Sequence, residues 1–193
     1  MTVIAGTVVT DVLRQVRDTG ANGHSRTFTL EVVSHAQRTL NALTRAVLRT
    51  QTLTLQPRQL FYSISLIFTD YIQAVAVTYL NQNLHRASLK SLRNSNPSWP
   101  RRWGSVPSFF VPLGINQLIV YPSPSTGATV DVTYVKDTGI IPGENIAMEL
   151  PDHLMPSVKD LAAATLFLRQ RDFQEAQALM QQLQPRIGRF RDE

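Results

Sequence analysis

Leu48-Arg49-Thr50-Gln51-Thr52-Leu53-Thr54-Leu55 is the stretch at which the chain changes period. Leu48, Thr50, Thr52 and Thr54 alternate with Arg49, Gln51, Leu53 and Leu55, the two-residue repeat of a strand rich in β-branched side chains, and Pro57 stops it. Towards the N-terminus the repeat is helical instead. Val9, Val12, Leu13 and Val16 follow i, i+3, i+4, i+7 spacing, and that helix is expected to end near Asp18-Thr-Gly20 with Gly20 as its left-handed terminus. Thr29 and Glu31 open a second helix whose face is Leu30, Val33, Ala36, Leu40, Leu43 and Val47. Residues 1–47 thus read as an N-terminal α-hairpin, and a β segment begins at Leu48.

Downstream, Leu60-Phe-Tyr-Ser-Ile64 and residues 71–79 read as strands, and residues 88–94 as one helical turn carrying Leu89 and Leu92. Two more strands, 108–111 and 117–121, flank a Pro112/Gly114 turn. The segment from Gln117 to Tyr134 reads as a hairpin, with Leu118 and Val120 on one strand, Val130, Val132 and Tyr134 on the other, and a Pro/Ser/Gly turn between them. The helical period returns after Leu150-Pro-Asp152, where Asp152 is a candidate cap. A stripe of Leu154, Val158, Leu161, Ala162 and Leu168 is followed by a helix carrying Phe173, Ala176, Met180 and Leu183, which Pro185 is expected to end.

The order predicts an α+β fold: an antiparallel helical bundle built from the N- and C-terminal helices, with an inserted antiparallel β domain. Its expected parts are 1–47, the β insertion 48–136, the C-terminal helices 137–184 and an extended C-terminal tail, 185–193. The insertion is expected to project from the bundle.

At 193 residues, with 43% apolar and 17% charged side chains, the chain is long and apolar enough for a real core and poor in charge. Such a deficit fits a surface that meets other protein. Zero cysteines exclude disulfides and thiolate chemistry. No secretory signal is visible and no apolar run is long enough to span a bilayer, so the expectation is a soluble protein.

The charge is unevenly placed. Between residues 71 and 130 the sequence has no Asp or Glu but has Arg86, Lys90, Arg93, Arg101 and Arg102. The other 14 cations balance all 14 carboxylates, so the net charge of +5 resides in this window. Of the 19 cations 16 are Arg, the side chain suited to bidentate contacts and interfaces, although high genomic GC content produces the same bias.

An enzyme is a poor reading. His24, His35, His85 and His153 are scattered without metal-ligand spacing and read as surface or capping residues. No phosphate loop or nucleophile elbow is present, and Asp152 and Asp160 read as capping or exposed carboxylates. No catalytic, metal or cofactor residue is assigned and no cofactor is expected.

The sharpest local feature is Trp99-Pro-Arg-Arg-Trp103, where Arg, Trp and Pro suit a preorganised interface loop. The same residues also suit two tryptophans sealing one end of a sheet. With Arg86, Lys90 and Arg93, the residues Trp99, Arg101, Arg102 and Trp103 form a candidate subunit or tail interface. A nucleic-acid-binding module using the basic β surface, with Phe109 and Phe110 for stacking, is the alternative. In the C-terminal tail, Arg186, Ile187, Arg189, Phe190 and Arg191 combine apolar anchors with cations, as a segment that docks on a partner does.

Several short strings, placed in this order, resemble one family. They are Leu13-Arg-Gln-Val-Arg-Asp18, the strand Leu48-Arg-Thr-Gln-Thr-Leu-Thr-Leu55 with Tyr62-Ser-Ile64, Asn116-Gln-Leu-Ile-Val-Tyr-Pro-Ser-Pro124, Val132-Thr-Tyr134, Leu150-Pro-Asp-His-Leu154 and Ala162-Ala-Ala-Thr-Leu166. The layout resembles the head-to-tail adaptors (connector or tail tubular type) of tailed bacteriophages. The resemblance implies a non-enzymatic virion protein at the head–tail junction, assembled in the host cytoplasm. It implies a homo-oligomeric ring, typically of twelve subunits, beneath the portal protein, and a platform for the tail or nozzle protein. DNA would pass through the channel without specific recognition on its way out of the head. By position, residues 186–193 would dock on the portal and the β insertion would face neighbouring subunits or the tail.

Overall fold

The computed structural model describes residues 3–18 and 23–191, without the side chains of residues 189–191. The chain divides into two compact units, one of Met1–Val47 with Asp137–Glu193 and one of Leu48–Lys136. Together they make a mixed α+β protein with mainly antiparallel sheets.

The first unit contains α1 (Ala5–Gln15), α2 (Arg26–Thr44), α5 (Met155–Arg169) and α6 (Phe173–Arg191). Their apolar faces share one core, in which Val8, Val9, Val33, Leu40, Val158, Ala162 and Leu166 are fully buried. The peptide 144–148 closes the start of α1: Ala5 N–H donates to Ile146 O and Gly6 N–H to Glu144 O at 2.7 Å. A Cβ on Gly6 would lie 3.1 Å from the Glu144 Cβ, so any larger residue here has to push the Glu144 segment outward.

Sequence expectations need correction at several points. The left-handed residue that ends α1 is Arg17 (φ 58°), not Gly20, which lies outside the described residues. Asp18 N–H donates to Leu13 O and Arg17 N–H to Arg14 O, which satisfies the last carbonyls before the chain reaches the glycine. Ser25, not Thr29, caps α2 through its side chain and Phe28 N–H. Leu43, Leu168, Phe173 and Met180 are exposed; Leu179 packs on the core beside the buried Ala176 and Leu183.

Pro185 does not end the last helix. It lies inside α6, which continues to Arg191, so the expected extended segment 185–193 is helical through Arg191, and residues 192 and 193 lie outside the described residues. Proline removes one helical hydrogen bond. On either side of it Leu183 is buried, Ile187 packs on the same core, and Arg186 Nη1 reaches Asp160 at 2.7 Å. Those contacts hold the backbone helical across the break.

The second unit is built of β1 (Leu48–Leu55), β2 (Phe61–Ser63), α3 (Ile64–Ile67), β3 (Tyr71–Tyr79), β4 (Gln82–Asn83), β5 (His85–Arg86), α4 (Leu89–Ser95), β6 (Trp103–Gly104), β7 (Phe109–Leu113), β8 (Gln117–Tyr121), β9 (Ser123–Pro124) and β10 (Ala128–Lys136). One sheet has the order β1-β10-β3-β4, the other β2-β8-β7-β5. Leu53, Leu55, Val77, Val130, Val132 and Tyr134 of the first sheet share a core with Tyr62, Phe110, Leu118 and Val120 of the second.

The expected hairpin from Gln117 to Tyr134 is not formed. β8 pairs with β7 and β2, whereas β10 pairs with β1 along all eight residues and with β3 on its other side. The intervening Pro122 and Pro124 cannot donate to a ladder, and β9 pairs instead, in parallel, with β6. Periodicity identified both strands but not their neighbours. The pairs β5–β7 and β6–β9 are parallel, against the expected all-antiparallel insertion.

Candidate interaction surface on the β unit

The outer side of the β2-β8-β7-β5 sheet carries a second apolar cluster: Leu60, Val111, Ile119 and Tyr121 under Leu92 and Trp99. Helix α4 is fixed there by a capping box in which the Ser88 hydroxyl accepts from Ser91 N–H and the Ser91 hydroxyl accepts from Ser88 N–H. Leu92 points into the cluster, and Lys90 and Arg93 are left in solvent.

The two tryptophans part company. Trp99 is 5% exposed and lies edge-on to Phe61 and Tyr121, with ring centroids 6.2 and 6.3 Å away. Asn96 Nδ2 donates to the Tyr121 hydroxyl at 3.3 Å, tying the start of this turn to the same cluster. Trp103 is 54% exposed, and the Arg58 guanidinium lies 5.1 Å from its ring centroid. Of the candidate interface residues, Arg86, Lys90, Arg93, Arg101, Arg102 and Trp103 are on the surface and Trp99 seals the cluster beneath. Arg86 also lines a cleft of about 300 Å³ with Ile72, Gln73, Pro112, Gly114 and Ile115.

Sequence reasoning missed Arg58, which falls outside the acid-free window. The signal that finds it is composition counted over the structural unit: residues 48–136 hold eight Lys or Arg and two carboxylates, a net +6, and the rest of the chain is then −1. Of the two carboxylates, Asp70 is committed internally. It accepts from Tyr134 Oη at 2.7 Å and pairs with Arg49 at 2.6 Å. Burial opposes its ionised form, but the bonds from Tyr134 and Arg49 outweigh that and hold Asp70 below the ordinary carboxylate range. Tyr134 is pushed well above the usual phenol range, by burial first and then by Asp70. Asp131 accepts from the Thr52 hydroxyl at 2.8 Å. Among the described residues, Arg58, Arg86, Lys90, Arg93, Arg101 and Arg102 therefore have no ion pair with a carboxylate.

The helical unit differs. Arg26–Glu144, Arg38–Asp137, Lys159–Asp11 and Arg186–Asp160 are paired within it. His24, expected at the surface or in a cap, is 6% exposed, stacked on Phe28, with its Nε2 2.9 Å from Gln170 Nε2. From the C-terminal candidates, Arg186 and Ile187 are engaged with this unit, and the side chains of Arg189, Phe190 and Arg191 lie outside the described residues. Among the described residues no group of three or more His, Cys, Asp or Glu is placed to hold a metal ion, and no helix is long and apolar enough to cross a membrane.

No curated protein matches the chain. Its sequence does match the model of the SU10 adaptor protein family over residues 3–193, nearly its whole length. That family is one of structural phage proteins and not an enzyme class. By that match the chain belongs to the SU10 adaptor protein family, the head-to-tail adaptors of phages.

Proposed function

We propose that this protein forms a homo-oligomeric ring between portal and tail in the virion, probed most directly at its β unit, and that the ring continues the DNA channel. Twelve subunits is the copy number the family resemblance implies. In this reading α1, α2, α5 and α6 make an antiparallel bundle, the end of α6 meets the portal protein, and the β unit meets a neighbouring subunit or the tail or nozzle protein. Assembly takes place in the host cytoplasm.

The observation that carries this reading is the set of six exposed β-unit cations without carboxylate partners, beside an exposed tryptophan. Arg and Trp are the side chains on which interfaces concentrate their binding energy. A ring subunit makes heterologous contacts on two sides, which fits a chain with only three lysines and exposed aromatic groups. Negative-stain imaging of a purified portal ring with and without this protein tests the reading. Decoration of the ring is expected; a bare ring, or absence of the chain from purified virions, overturns it.

The same cations favour a second reading, a nucleic-acid-binding module. Filter binding of duplex and single-stranded DNA in rising salt separates the two: phosphate binding weakens steeply with salt. Absence of salt-sensitive binding eliminates the second reading.

A further inference from the structure

Strand β1 lies at the edge of its sheet. Among the described residues its one strand neighbour is β10, held in unbroken register from Leu48↔Val135 to Leu55↔Ala128. Leu48, Arg49, Thr50, Thr52 and Thr54 are exposed. In an antiparallel ladder alternate residues face the neighbour, so about half of the β1 peptide groups point to the open side.

Natural edge strands are guarded by shortness, proline, lysine, bulges or a covering segment. β1 has eight residues, no Pro, no Lys and no register shift, and its one charge, Arg49, is tied to Asp70. The other edges are guarded. β2, β4 and β5 have two or three residues each, and β3 carries two register shifts against β10 with β4 over its last two residues. Most of the outer side of β3 is unpaired as well but bulged, so among the described residues β1 is the one long edge in unbroken register.

We infer that β1 is the acceptor for an extended, acidic segment of a different polypeptide, which adds to the sheet as a fifth strand. This rests on the adaptor reading and names the partner chemistry of the β unit. The donor is not a second copy of this chain. Pairing of β1 with another β1 is a two-fold contact that closes at two and cannot propagate round a ring. Among the described residues, the remaining sheet edges are too short or too irregular to donate eight residues. Acidic side chains follow from the charge: the unit is +6, and Arg58, three residues beyond β1, sits over Trp103 with no carboxylate partner. Main-chain bonds along β1 supply the affinity, and carboxylates reaching Arg58 fix the direction of the added strand.

Two measurements on purified virions test this. First, hydrogen exchange is compared between the free chain and the intact particle. The β1 amides are expected to exchange at least about ten-fold more slowly in the particle, with the central strand β10 as the internal control. Second, the photo-crosslinker benzoylphenylalanine is placed at position 54. It is expected to capture a different virion protein through a segment carrying Asp or Glu. Capture of another copy of this chain, capture of a segment without acidic residues, or unchanged β1 exchange overturns the inference while leaving the adaptor reading intact. Absence of the chain from virions overturns both.

Discussion

The helical unit pairs its charges within itself, whereas among the described residues six of the eight cations of the β unit have no carboxylate partner. Four ion pairs in the first unit join residues far apart in sequence, such as Arg26 with Glu144 and Arg186 with Asp160. In the second, Arg49 is paired with Asp70, whereas Arg58, Arg86, Lys90, Arg93, Arg101 and Arg102 have no carboxylate partner among the described residues. The same residue types thus do different work in the two halves. Charge in one supports the fold, and charge in the other is available to a partner.

Substitutions test that contrast. The largest effect is expected at Trp99, since Trp99→Ala opens the cluster below α4 and costs roughly 3–5 kcal/mol in urea unfolding. A near-neutral result would return Trp99 to the interface and break the division between sealed and exposed tryptophan. Next comes Tyr134→Phe, which removes a bond to a charged carboxylate and costs about 1.5–3 kcal/mol near neutral pH. Its pH dependence has a definite sign. Asp70 has a folded pKa below its unfolded value, so its contribution is complete above about pH 4 and is lost as pH falls through the folded value. The stability gap between wild type and Tyr134→Phe should therefore close on acidification; a gap that stays constant to the lowest pH would refute the Asp70 linkage.

Smaller effects separate the two kinds of charge. Glu144→Gln, which breaks a surface pair with Arg26, should lower stability by about 0.2–1 kcal/mol at low salt and less at high salt. Arg101→Ala and Arg102→Ala should leave stability within about 0.5 kcal/mol of wild type. They should instead weaken attachment to the partner in co-sedimentation with assembled particles. If the β-unit substitutions cost clearly more than about 0.5 kcal/mol, these cations have internal partners and the contrast fails.

The period change at Leu48 was legible in the sequence, as were the bounds of β3 and β8, because alternation and helical spacing are local properties. Partnership was not. Gln117–Tyr121 and the strand to Tyr134 are near neighbours in sequence, yet they lie in different sheets, since β10 finds β1 and β3 on its flanks. Pro185 reads as a helix stop, and only the packing of Leu183 and Ile187 reveals why it is not. The candidate surface was half legible. Composition located its cations, but Trp99 and Trp103 look alike in sequence and are told apart only by burial. Arg58 lay beyond the window and entered through its position over Trp103.

The open side of β1 also bears on how the protein survives before assembly. A long edge without lysine or proline guards is a template for any extended chain that meets it. The interval between synthesis and incorporation is then the hazardous period in its lifetime, when stray pairing competes with the correct partner and is hard to reverse. Concentration and time become the controlling quantities, and prompt assembly is itself the protection.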